Sequence, residues 1–313
     1  MLNKLFSLFI VTLIMLMGCG KGTLSITEAT YQPKIAIQGT LVPGQAARVT
    51  VGRNFPMNVV IDPSTIAITD ANVTITDDTG AKFALAYNAQ TQSYEAPQLN
   101  VAYNKTYTLN VDASIDGQAL HARATTTVPN AGLNILEESS RLGSMVYRQR
   151  DAQGSLVNFN IVFERSPGTG YYVVSVVSLD ADTSMFIYNN PFRELTAEEV
   201  LADFEEYKYL YFWLQDKPLT AGASSTEIAS LYTFFYGKYR VILYAADRNF
   251  RDFQTTHELL QGIDGNYHEP AFHIQGDGIG VFGSAAVDTA YFEVLRPSTS
   301  RKLKVLAQLN GSR

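Results

Sequence analysis

From Tyr31 onward, apolar residues recur at every second position. "KIAIQGTLV" sets Ile35 and Ile37 on one side of an extended chain, and "ARVTVGRNF" does the same with Val49 and Val51. In "ANVTITDDTGAKFALAYN", Val73 and Ile75 precede Asp78-Thr79-Gly80, and turn chemistry between two alternating runs predicts a hairpin. "KTYTLNVDASIDGQALHARATTTVP" repeats the design, with Tyr107, Leu109 and Val111 in step, a turn at Asp116-Gly117, and a strand ending before Pro129. Short strands at regular spacing predict an all-β sandwich over residues 31–129.

"PNAGLN" interrupts the alternation and marks a domain boundary. A second, β-rich domain with two or three short helices is expected over residues 133–297. Its strands, "VNFNIVFE", "GYYVVSVVSL", "KYLYFWL" and "KYRVILYAA", are continuous apolar runs of the kind buried on both faces. "LTAEEVLADFEEY" carries Thr196 three residues before Glu199, the spacing of a capping box, followed by a stripe of Val200, Leu201 and Phe204. "SSTEIASLYTFF" has the same device in Ser224 and Glu227, and predicts a second helix. "DRNFRDFQTTHELLQG" places Phe250, Phe253 and Leu260 on one side of a third, ending at Gly262. No repeat of solenoid length is present. The fold class is therefore mainly β.

The first residues follow a different pattern. "MLNKLFSLFIVTLIMLMGCG" has one positive charge at Lys4 and an apolar run from Leu5 to Met17, too short to span a bilayer but laid out as a secretory leader. Leu16-Met17-Gly18-Cys19 has the form of a bacterial lipobox, so residues 1–18 are expected to be a signal peptide and Cys19 the site of lipid attachment. Cys19 is the only cysteine among 313 residues, which excludes an internal disulfide. Acylation at that sulfur would tether the chain to a membrane. Residues 19–30 are small and polar, suited to a tether, and 298–313 form a C-terminal tail. The net charge of -6, with scattered basic residues, argues against a nucleic-acid partner.

Gly278-x-Gly280-x-x-Gly283 has the spacing of a dinucleotide loop, but "AAVDTAYFEVLRP" after it alternates like a strand, so a glycine turn feeding the last strand is expected and no nucleotide cofactor. His268, Glu269 and His273 offer possible metal ligands, yet Pro270 forbids a continuous helix between them, and no metal is assigned. Asp180-x-Asp182-x-Ser184 resembles a calcium loop but has Met185 where the turn needs Gly. No Gly-x-Ser-x-Gly turn occurs, and Glu198-Glu199 and Glu205-Glu206 read as solvated helix surface. No enzymatic activity is expected. In "YKYLYFWL", Tyr209, Tyr211 and Trp213 share one strand face: an open face would be a platform for a glycan or small apolar ligand, a covered one would be core.

Taken in order, "YQPKIAIQGTLVPGQAARVTVGRNFP", "DANVTITDDTGAKFAL", "FFYGKYRVILYAADRNFRDF" and "GDGIGVFGSAAVDTAYF" resemble the Bacteroidota lipoprotein family known as domain of unknown function 4249. The resemblance implies an immunoglobulin-like first domain, an outer-membrane lipoprotein, and a TonB-dependent receptor as companion. It brings no catalytic residues. Surface display in that phylum uses acidic residues after the lipidated Cys, which "GKGTLS" lacks, so periplasm-facing and surface-exposed positions both stay open. The expected function is binding of a partner or nutrient at the outer membrane. The alternatives are a structural or adhesive envelope lipoprotein and a carboxylate-based hydrolase.

Overall fold

The computed structural model describes residues 31–56, 59–189, 195–214, 216–257 and 270–297, with backbone alone for 211–214. Every element below belongs to one compact unit that contains residues 33–54 and everything from 60 onward; residues 31, 32, 55, 56 and 59 are assigned to a separate unit and carry no helix or strand. The expected leader, Cys19, the tether and the tail lie outside the described residues.

The alternating segments form strands β1 (Ile35–Leu41), β2 (Ala46–Arg53), β3 (Asn72–Asp77), β4 (Lys82–Asn88), β5 (Ser93–Asn100), β6 (Thr106–Ile115) and β7 (Gln118–Thr127). They pair in the orders β1-β2-β5 and β4-β3-β6-β7, with β4 also reaching β5. This is a seven-strand immunoglobulin-like sandwich. Ile37, Val49, Val51, Val73, Ile75, Leu109 and Val111, the residues that the period-two pattern turns inward, are all buried in one core. Asp116 and Gly117 both have positive φ, 52° and 78°, as a two-residue hairpin turn requires to match strand twist. The Tyr107 hydroxyl accepts the Ala102 N–H at 2.9 Å, a tyrosine-corner contact that pins the β5–β6 connection.

The chain continues through β8 (Asn134–Ile135), β9 (Ser144–Val146), β10 (Phe159–Glu164), β11 (Tyr172–Ser178), α1 (Ala197–Ala202), α2 (Phe204–Lys208), β12 (Tyr209–Leu214) and β13 (Ala223–Ile228). It closes with β14 (Gly237–Ala246), α3 (Arg248–Thr256), β15 (Ile274–Gly276) and β16 (Gly278–Leu295). The last strand is the organising element. Its first half runs parallel to β1, from Ile35 opposite Gly278 to Leu41 opposite Ser284, and its second half runs antiparallel to β14. One continuous ladder therefore crosses the expected boundary between residues 129 and 133. Phe282 belongs to the sandwich core, and Ala286, four residues on, belongs to a second core.

That second core lies between the β11-β14-β16 sheet and a small sheet ordered β13-β10-β8. Phe159 and Phe163 of β10 meet Phe292 and Tyr172, with ring centroids 4.0 and 5.4 Å apart. Each fully buried ring of this kind is worth roughly 1.5–3 kcal/mol of transfer free energy.

Several expectations are corrected. "SSTEIASLYTFF" is strand β13 followed by a short 3-10 turn at Ser230–Tyr232, not a helix. Ser224 does not cap: its hydroxyl accepts from Arg165, and Glu227 accepts from the Asn158 amide, while the backbone pairs with β10. Tertiary pairing thus overrides a local capping signal. The Thr196–Glu199 capping box does form, but Leu201 is 63% exposed, because the helix breaks at Asp203 and only Val200 turns fully inward. β10 is buried on one face rather than two, being the middle of a sheet covered on one side. Helix α3 stops at Thr256 with His257 as its C-cap; Leu260 and Gly262 lie outside the described residues.

Candidate functional site

Along β14 the side chains alternate between two environments. Tyr239, Val241, Leu243 and Ala245 are buried in the second core, whereas Arg240, Ile242 and Tyr244 lie on the opposite face and are partly exposed. The register sets Arg240 opposite Tyr291, Ile242 opposite Thr289 and Tyr244 opposite Val287. These six residues make up one side of a cleft of about 1120 Å³. Its other sides are Gln38, Thr40 and Gln45 from the β1–β2 region and Phe250, Gln254 and His257 from α3.

Helix α3 is fixed over the sheet by its first residues. Asp247 accepts the Phe250 N–H at 2.9 Å as N-cap, and its other oxygen accepts from the Thr126 hydroxyl at 2.5 Å. Thr126 is also 2.7 Å from the Ser284 hydroxyl, so the cap ties β7, β16 and α3 together. Burial pushes the Asp247 carboxyl up from its ordinary value, against hydrogen bonds that act to lower it. Asn249 donates to the carbonyls of Thr125 and Phe282 at 2.7 and 2.9 Å.

The glycine motif finds its explanation here. Three of its glycines lie within β16 rather than in a turn before it. At Gly280, φ is +103° and a Cβ would sit 2.1 Å from the Ile37 carbonyl oxygen; at Gly283 it would sit 2.9 Å from the Phe250 Cβ. At Gly278 it would sit 2.4 Å from Ile274 Cγ2 and 2.8 Å from the Ala122 Cβ, so the spacing serves close approach of β7 and β15, then β1, then α3.

Among the described residues no Asp or Glu lines the cleft. Arg240 is half-buried with its Nε inaccessible to solvent and without a hydrogen-bond partner. A guanidinium so placed has lost part of its hydration and gained no anion in exchange. His257 is differently placed, with Nδ1 3.1 Å from the carbonyls of Phe253 and Gln254 and its ring stacked on Phe253. The cleft thus combines aromatic surface, amides and hydroxyls, and one uncompensated cation.

A smaller cavity of about 590 Å³ includes Tyr171, Asp216, Lys217 and Arg251. Burial pushes the Tyr171 hydroxyl up to about 12. Arg251 lies 5.9 Å from the Tyr171 ring centroid and 3.5 Å from Asp216, so its own charge is paired within the cavity. Elsewhere His273 Nε2 is 2.7 Å from Asp252, which Arg248 also approaches at 3.2 Å. No hydroxyl hydrogen-bonds the His273 ring among the described residues, and the pair fastens the segment before β15 to α3.

The sequence-derived candidates are distributed as follows. Tyr209 is 38% exposed, with the Lys208 ammonium 5.4 Å from its ring centroid. Tyr211 and Trp213 are placed by register alone, opposite Ser175 and Val173, both of which are buried; their side chains lie outside the described residues. His268 and Glu269 also lie outside them, and His273 pairs with Asp252 instead. No group of three or more metal-ligating residues occurs among the described residues. Asp182 caps a 3-10 turn through the Ser184 N–H at 2.8 Å, and Asp180 accepts the Lys238 N–H at 2.9 Å, so the calcium-like run is used locally. Arg240, Tyr244 and Tyr291 were missed as site residues. The signal was present in "KYRVILYAA", where Arg240, Ile242 and Tyr244 alternate with the core residues.

Fold and cleft together define a mainly β protein in which a sandwich and a second β-layered region share a strand, with a cleft over one sheet face among the described residues. The chain belongs to the family described as a domain of unknown function, DUF4249, whose model matches residues 23–290. No curated protein matches it. Among solved structures it is similar to a two-domain fibronectin type-III segment of chicken tenascin, at 10% identity over 68% of this chain and 91% of that one, TM-score 0.20. A bacterial ice-binding adhesin matches at 10% identity over 87% of this chain and 67% of that one, TM-score 0.20. The α2-macroglobulin of E. coli matches at 12% identity over 86% of this chain and 15% of that one, TM-score 0.20.

Proposed function

We propose that this chain is a non-enzymatic, lipid-anchored cell-envelope protein that binds a partner or nutrient at the outer membrane, as an accessory to a TonB-dependent receptor. The observation that carries the binding role is the cleft beside Arg240: a ligand-sized concavity with aromatic walls and a few converging polar groups is the usual form of a binding site. Anchoring rests on the leader and Cys19.

Two measurements test the reading. Wild type is expected to fractionate with outer membranes and Cys19→Ala to be released; retention of the variant on membranes overturns the anchor. A glycan and metabolite array should give saturable binding that Tyr291→Ala weakens. An array with no saturable ligand, together with native-membrane purification that enriches no receptor, overturns the binder.

A further inference from the structure

We infer that the cleft receives an acidic saccharide, whose carboxylate pairs with Arg240 while its ring faces lie on Tyr244, Phe250 and Tyr291. This rests on the binding role proposed above and names the ligand class.

The charge pattern comes first. Among the described residues three arginines are half-buried, namely Arg53, Arg165 and Arg240. Arg53 pairs with Asp116 at 2.6 Å, and Arg165 donates to the Ser224 hydroxyl at 3.2 Å. The Nε of all three is buried without a hydrogen-bond partner, but Arg240 alone has no partner at its terminal nitrogens either, and it sits in a cleft that no described carboxylate lines, in a chain of net charge -6. A planar guanidinium with free donors matches a carboxylate in a two-pronged geometry. A neutral ligand would leave that charge as it is now, partly desolvated and unpaired.

The surroundings select the rest of the ligand. Tyr291 lies directly across the ladder from Arg240 and is 59% exposed, so a ring resting on it brings its substituent within reach of the guanidinium. Tyr244 and Phe250 stack at 6.3 Å on the far side of the same face. Flat apolar rings beside the side-chain amides of Gln38, Gln45 and Gln254 suit a pyranose, which has a C–H face and a rim of hydroxyls. A volume of about 1120 Å³ exceeds what one drug-sized molecule needs, so an oligosaccharide is the fitting size.

The test is calorimetric titration of the full chain in detergent with an oligogalacturonate, its methyl ester and a sulfated oligosaccharide. Saturable binding of the oligogalacturonate is expected. It should weaken roughly ten- to hundredfold for the methyl ester and for Arg240→Gln, less for Arg240→Lys, and should fall as salt rises. Circular dichroism of each variant separates loss of binding from loss of fold. Equal affinity for acid and ester, or an unaffected Arg240→Gln, overturns the inference while leaving a saccharide-binding cleft in place. Binding of only the sulfated probe overturns the carboxylate assignment. No binding of any of the three, combined with an empty array, removes the binding role as well.

Discussion

Asp247 is a single carboxyl on which three elements converge, and its protonation state is coupled to folding. Burial raises its pKa above the ordinary carboxylate value, so the folded protein holds this proton more tightly than the unfolded chain. The stability it contributes is complete below the unfolded carboxylate pKa and is lost as pH rises through the folded value. Asp247→Asn keeps a capping side chain without that titration. Melting temperatures of wild type should therefore fall relative to Asp247→Asn as pH rises from acid toward neutrality; parallel profiles would refute this. Asp247→Ala should cost about 1–3 kcal/mol in chemical denaturation, because the N-cap and the Thr126 hydrogen bond go together. At Gly280, alanine would need to keep a φ of +103° with its Cβ 2.1 Å from a carbonyl, so Gly280→Ala should destabilise on the order of 3 kcal/mol. The sequence showed that glycines clustered at 276–283 but not why, since the atoms that exclude side chains there belong mostly to elements distant in sequence, β7 at Gly276 and Gly278, β1 at Gly280 and α3 at Gly283.

At the scale of elements, the α1 segment separates local signal from tertiary consequence. Thr196 and Glu199 form the capping box that their spacing announced, and Thr196→Ala should lower stability by about 1 kcal/mol. Neighbouring Val200 and Leu201, equal in the sequence pattern, are 0% and 63% exposed. Val200→Ala should cost about 2 kcal/mol and Leu201→Ala stay within about 0.5 kcal/mol; similar losses at both positions would contradict the break at Asp203. Strands β1 to β4, β6 and β7 were legible because each has one wet face and hence strict alternation. β5 was not: Glu95, Pro97 and Gln98 interrupt its pattern, although Tyr94, Ala96 and Leu99 are buried. β13 was misread because Ser224 to Glu227 mimics a cap and its partner β10 is distant in sequence. The cleft was partly legible: ring-rich strands were recognised and β12 was singled out, whereas Arg240, Tyr244 and Tyr291 of β14 and β16 were not, since alternation separates the two faces of a strand without saying which one lines a cleft.

For the whole molecule, the shared strand predicts a single unfolding transition. Phe282 and Ala286 sit in different cores on one uninterrupted ladder, so neither core can open without disturbing the other. Scanning calorimetry should give one cooperative peak; two resolved peaks would show that the halves melt separately. A fragment ending at residue 129 would lack β15 and β16, leaving β1 and β7 as bare edges, and is expected to associate on size-exclusion chromatography. The pattern along the chain placed a division at Pro129 because turn residues mark where the backbone changes course, whereas a parallel pairing between its distant ends leaves no local trace. During synthesis, β1 is made more than two hundred residues before its parallel neighbour. Until β16 is present the young chain carries an unfilled slot along β1, open to any stray extended peptide, and its maturation has to wait for that late strand.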